Sequence, residues 1–246
     1  MGAYSEVTRR LRALRVEGAR VESYGAVDGE PLLCVHASAA GRAVPTVLLT
    51  AGVHGDEPAG VEAAIRFLEE ELTAYTPCFD WLVAPCVNPA GYAASTRENA
   101  AGADINRAFD TEPTPESTAL KTLLVGRRFA CAVDFHEDWE AGGFYMYEGV
   151  LGAAAAGAEV TRAVAEIGDI DLDADPDDPP LSPGVYAVPT SWGTMGLAPY
   201  LLSAHTGHAV ITETPSRAWG LEARVQAHLC ALRVVLDVHA GGRAAR

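Results

Sequence analysis

Short apolar runs alternate along this chain with longer stretches whose apolar residues recur at helical spacing. "PLLCVHAS" (31–38) and "PTVLLTAG" (45–52) are bounded by Gly and Pro, as buried strands are. "EPAGVEAAIRFLEEEL" (57–72) has the helical period, with Pro58 in the first turn, where its missing N–H does no harm. The pattern then predicts a strand "FDWLVAPCVNP" (79–89), a polar loop through Arg107 and a helix "PESTALKTLLVGRR" (115–128). Strands "FACAVDFH" (129–136) and "GFYMYEG" (143–149) precede a helix "LGAAAAGAEVTRAVAEIG" (151–168). An acidic, proline-rich loop (169–184) leads to a helix "TMGLAPYLLSAHTG" (194–207), a strand "HAVITETP" (208–215) and a helix "LEARVQAHLCALRVVLDVH" (221–239). This order predicts a single three-layer α/β/α domain over residues 1–246 with a mostly parallel mixed sheet. Ligands gather at the carboxyl ends of strands in such sheets.

Those strand ends carry chemistry. In "TAGVHGDEPAG" (50–60), Gly52 and Gly55 offer the backbone angles that a tight turn needs. The turn itself has no use for His54, Asp56 and Glu57. His54 and Glu57 are three residues apart, so one turn of helix can bring both side chains to the same side as two ligands for one metal. His136 ends "CAVDFH" and Glu213 ends "AVITE". A parallel sheet would draw these four side chains together, and two His with one Glu, leaving a fourth position open, is a catalytic zinc ligand set.

Composition narrows the choice. Acidic residues outnumber basic ones 33 to 18, a formal charge of −15, which argues against nucleic acid as a partner. An anionic substrate must then be met by local arginines. The five cysteines, Cys34, Cys78, Cys86, Cys131 and Cys230, are scattered and mostly lie in apolar runs, so they read as reduced core residues. The first residues lack the apolar core of a signal peptide and no stretch reaches membrane-spanning length, which leaves the cytoplasm as the expected compartment and no membrane partner.

With these residues in view, the chain resembles the carboxypeptidase A-like zinc carboxypeptidases. "HGDE" looks like the family's His-x-x-Glu, and "NPAGYAASTRENAAGADINRAF" (88–109) like its Asn-Pro-x-Gly followed by Gly-x-Asp-Leu-Asn-Arg, with Ile105 in place of leucine. "DFH" and "ITETP" follow in the family's order as the later histidine and the late catalytic glutamate. The resemblance implies that His54, Glu57 and His136 hold one zinc ion per chain and that Asp104 orients His54. It implies Glu213 as general base and then acid, Asn106 and Arg107 on a substrate carboxylate, and Arg97 on the scissile carbonyl or its oxyanion. The implied enzyme is a zinc-dependent amide hydrolase acting beside a free carboxylate, on short or cell-wall-type peptides. A second implied activity is N-acyl amino acid deacylation, as in succinylglutamate desuccinylase and aspartoacylase, which share this domain; a third is a non-catalytic binding protein that retains the fold.

Plainer readings stand beside each role. Glu213 could cap a helix, Arg107 could pair with Asp104 or Asp110, and Arg97 could form a loop salt bridge. His205 and His208 flank a glycine and read as structural or exposed. "HEDWE" from His136 lacks the second histidine of a helix-borne His-Glu-x-x-His, and the acidic run 169–178 lacks the glycine and closing glutamate of a calcium loop. The family's tyrosine over the substrate has no motif match; Tyr186 and Tyr200 are candidates by position. The loop 169–184 could lie over the site and exclude long substrates.

Overall fold

Strand pairing turns the alternating pattern into one eight-stranded sheet, seen in a computed structural model that describes residues 3–38, 43–110, 112–152, 154–174 and 179–241. In chain order the elements are α1 (Ala3–Ala13), β1 (Ala19–Val27), β2 (Glu30–Ala37), β3 (Thr46–Ala51) and α2 (Pro58–Arg66). A π-helical turn (Phe67–Glu71) then runs into α3 (Leu72–Tyr75), followed by β4 (Asp80–Ala84), α4 (Pro89–Ala94), a 3-10 turn (Ile105–Arg107) and α5 (Pro115–Leu124). β5 (Cys131–Asp138), β6 (Tyr145–Val150), α6 (Gly157–Val164), β7 (Val185–Ala187), a second 3-10 turn (Thr190–Trp192), α7 (Leu197–Ala204), β8 (His208–Pro215) and α8 (Leu221–His239) complete the chain.

The sheet order is β1-β2-β4-β3-β5-β8-β6-β7. Strands β4, β3, β5 and β8 run parallel, and the antiparallel hairpin β1-β2 and the parallel pair β6-β7 join its two sides antiparallel to their neighbours. Alternate residues of the central strands bury to opposite faces. Leu49, Val133 and Val210 pack with α2, α6 and α8, whereas Leu48 and Ala132 pack with Leu120 and Leu124 of α5 and Leu197 and Leu201 of α7. Helices cover both faces, so the three-layer, mostly parallel mixed sheet is as expected.

Several boundaries differ for identifiable reasons. The helix expected over 151–168 starts only at Gly157, because Glu148 Oε1 accepts the N–H groups of Ala156 and Gly157 at 2.6 and 3.1 Å and fixes the start there. The helix expected to reach Arg128 stops at Leu124, ahead of Gly126 at φ +71°. The segment expected as strand through Pro89 leaves the sheet at Ala84. Asn88 then caps α4 by accepting the Gly91 N–H at 2.9 Å.

Candidate metal centre and active site

The turn after β3 is built for close approach. Gly52 adopts φ +61°, a region that favours glycine, as expected. Gly55 does not have a positive φ; it is needed for space instead, since a Cβ there would lie 1.9 Å from the Gly91 carbonyl carbon of α4. Backbone thus packs on backbone and presents His54 and Glu57, which are only 3% and 4% exposed. Parallel pairing of β3 with β5 brings His136 alongside, and β5 pairs with β8 so that His136 stands directly opposite Glu213.

Three ligand atoms converge, one from each of His54, Glu57 and His136, all within 4.8 Å of one another. His54 Nδ1 is 2.6 Å from Glu57 Oε1 and 3.2 Å from His136 Nδ1. Each imidazole is held from behind. His54 Nε2 donates to Asp104 Oδ1 at 3.2 Å, and His136 Nε2 donates to Asp134 Oδ2 at 2.8 Å, a tautomer inferred from these partners. Asp134 is fixed in turn by the Thr50 hydroxyl, which donates to its Oδ1 at 2.7 Å.

The donor set fits a metal ion. With the outer nitrogen of each ring turned to a carboxylate, the two Nδ1 atoms face each other across 3.2 Å, where one cation can accept both lone pairs. Glu57 Oε1 lies 2.6 Å from His54 Nδ1 and Oε2 2.9 Å from His136 Nδ1, so both oxygens of this buried carboxylate point at the same two nitrogens. Carboxylates behind both imidazoles are the arrangement that fixes a ligand's tautomer and raises its basicity.

Charge in this pocket is strongly coupled. Burial works to raise the Glu57 carboxyl, but the His136 and His54 charges outweigh it and hold it well below its ordinary range. Burial works against protonated His136 and His54, and the carboxylates of Asp134, Glu57 and Asp104 overcome it, raising both imidazoles. Glu213 goes the other way. Desolvation pushes its carboxyl well above the usual range, the charges of Glu57 and Asp138 add to this, and those of His136 and His54 oppose it.

A cavity of about 240 Å³ adjoins the cluster and is lined by His54, Glu57, His136, Glu213, Arg97, Asn106 and Arg107 among others. Every expected site residue except Asp104 therefore borders one space, and Asp104 lies behind His54. Arg97 binds Asp104 Oδ2 through Nε and Nη2 at 3.1 and 2.9 Å, and its Nη1 is 3.3 Å from His54 Nδ1, so it is a loop salt bridge that also faces the cavity. Arg107 Nη1 donates to the Asn106 carbonyl at 3.0 Å. Asn106 accepts the Leu197 N–H at the start of α7 at 2.9 Å, which leaves its two amide N–H donors as the end available to a ligand.

The rest of the wall is mostly apolar and aromatic, with Tyr145, Tyr147, Trp192, Met195 and Ile211, beside Glu137 and Asp138. Neither Tyr186 nor Tyr200 borders the cavity: Tyr186 donates to the Leu172 carbonyl at 2.9 Å, and Tyr200 packs on Phe109. Of the loop 169–184, residues 175–178 lie outside the described residues, and none of the others lines the cavity. His205 and His208 are structural and buried, bonded to the Arg127 carbonyl and to Glu148. "HEDWE" begins on β5 and has no helix. Asp134 was not found by motif, though Asp-x-His on a strand puts both side chains on one face.

Residues 43–144, less than half of the chain, match the family described as succinylglutamate desuccinylase/aspartoacylase catalytic domain. No curated protein matches the chain. Among solved structures it is similar to a provisionally named metallopeptidase from Shewanella amazonensis SB2B, with TM-score 0.81 and 23% identity over 95% of this chain and 91% of that one. A metallo-carboxypeptidase from Burkholderia cenocepacia gives TM-score 0.68 and 17% identity over 95% of this chain and 68% of that one. The Pseudomonas aeruginosa metallo-carboxypeptidase bound to (2-guanidinoethylmercapto)succinic acid gives 0.69 and 15% over 96% and 68%. The fold is carboxypeptidase-like. With the family match, it agrees with the superfamily that the motifs resemble, its desuccinylase/aspartoacylase branch included, and points to a hydrolase of the metallopeptidase or deacylase type.

Proposed function

We propose that residues 1–246 act as one catalytic domain, a zinc-dependent amide hydrolase that cleaves the peptide bond next to a free carboxylate in short or cell-wall-type peptides. One observation carries the reading: Glu213, a carboxyl with a raised pKa, stands opposite His136 in a cavity that Asn106 and Arg107 also border. Zinc held by His54, Glu57 and His136 supplies, when bound, Lewis acidity toward a carbonyl and a water pKa lowered toward about 7. Glu213 would take the proton of the attacking water and return it to the leaving amine, a task suited to a carboxyl whose pKa is shifted toward neutrality. Arg107 and the amide of Asn106 would hold the substrate carboxylate, and Arg97, already fixed by Asp104, would steady the developing oxyanion. The five free thiols fit a reducing, cytoplasmic setting.

Removing the base while keeping the ligands tests the assignment. Glu213→Gln is expected to retain zinc and fold while turnover falls about 100-fold or more. Near-normal turnover by the zinc-loaded variant would place the base elsewhere, and lost zinc would make Glu213 a ligand.

The match over residues 43–144 favours a second reading, deacylation of an N-acyl amino acid. A carboxylate clamp serves both substrates, so the assay must offer both. Zinc-loaded enzyme is expected to hydrolyse short peptides with a free C-terminus, to spare their amidated counterparts, and to lose affinity for substrate in Arg107→Ala through a raised KM. Selective turnover of N-succinylglutamate or N-acetylaspartate in the same panel would decide for the deacylase.

A further inference from the structure

Glu57 occupies the N-cap position of α2, yet its side chain makes no cap bond there; its oxygens face His54 and His136 instead. The first N–H groups of a helix have no intrahelical acceptor, and the N-cap side chain ordinarily supplies one. Pro58 removes one such donor by having none. The next, the N–H of Ala59, is met from another element: Glu137 Oε1 of β5 accepts it at 2.7 Å. The second oxygen of Glu137 is ion-paired with Arg224 of α8, and the Glu137 side chain is 0% exposed. Both oxygens of Glu137 are thus engaged, one by a backbone N–H and one by a guanidinium.

A buried ion pair is a poor source of stability, since well-packed apolar side chains in the same space are often as good or better. What this pair does provide is direction. It joins the first turn of α2, two residues after Glu57, to β5, one residue after His136. We propose that Glu137 is a positioning residue for the metal centre, a substitute N-cap that leaves Glu57 free to be a ligand and fixes it relative to His136, with Arg224 neutralising the charge that does so. This inference rests on the reading of His54, Glu57 and His136 as ligands.

Two double variants isolate the cap. Glu137→Gln/Arg224→Met keeps an oxygen for the Ala59 N–H and removes both charges; Glu137→Met/Arg224→Met removes the oxygen as well. Zinc affinity would be measured by chelator competition and thermal midpoints on the zinc-free proteins. The Gln/Met protein is expected to bind zinc within about 3-fold of wild type and the Met/Met protein about 10–100-fold more weakly. Their zinc-free midpoints are expected to agree within about 4 °C, the scale of one lost cap. Equal zinc affinity in the two doubles, or equally weakened binding in both, overturns the proposal. Should the Met/Met protein not fold, Glu137→Asp carries the test: it keeps the charge but ends one carbon short, and unchanged zinc affinity in it also overturns the proposal. Wild-type protein that takes up no zinc, or a His136→Ala variant that keeps it, would instead sink the ligand assignment itself.

Discussion

At the level of single residues, the centre is a contest between burial and charge that each side chain settles differently. His54 and His136 are both pushed toward their protonated forms, by carboxylates in front of and behind each ring. A metal must displace those protons, so its apparent affinity depends on pH. The sign follows from the raised imidazoles: affinity rises from about pH 6 upward and levels off only when both rings are neutral in the metal-free protein. Stability of the metal-free form runs oppositely. Raised histidine pKa values contribute stability that is complete below about pH 6.5 and is lost as pH climbs through the folded-state values. The gap between metal-loaded and metal-free thermal midpoints is therefore expected to widen as pH rises from about 6.5 through the raised folded-state imidazole values. Midpoints that stay parallel across that range, with a flat competition curve, would mean that these imidazoles are not the groups the metal binds.

At the level of elements, the glycine turn after β3 governs the site because it brings backbone onto backbone. Gly55→Ala would set a methyl group 1.9 Å from the Gly91 carbonyl carbon, where neither side can yield by rotating a side chain. The expected cost is about 1–3 kcal/mol in a denaturation experiment, with zinc affinity falling alongside. A stable variant with unaltered affinity would show that the turn and α4 can part without disturbing His54. The same turn marks how far the sequence could be read. Its ligands and glycines were legible, because His-x-x-Glu after an apolar run is a local pattern. The reason for Gly55 was not, since Gly91 lies 36 positions away. α1 and β1 were passed over although both leave traces: Tyr4, Val7 and Leu11 form a buried stripe, and Asp28-Gly29, both at positive φ, makes the two-residue turn from β1 to β2. β7 has only three residues and too little pattern to announce itself. Asp134 and Glu137 escaped because their roles depend on tertiary partners, Thr50 and His136 for one, Ala59 and Arg224 for the other.

For the whole molecule, the sheet has apolar packing on both faces that owes nothing to a metal, and chelation is expected to leave it folded, unlike a zinc finger. The parallel core has a further consequence, in time. β3 and β5 are neighbours in the sheet, but 82 positions separate His54 from His136, and the chain must close that loop before the two rings meet. Contacts of such long range form late and make for slow folding. A metal ion therefore finds its full ligand set only near the end of the journey, too late to hasten it, and acts as a latch on the finished structure. Stopped-flow experiments are expected to give refolding rates unchanged by zinc within about 2-fold, and unfolding rates that fall in proportion to the stabilisation zinc confers.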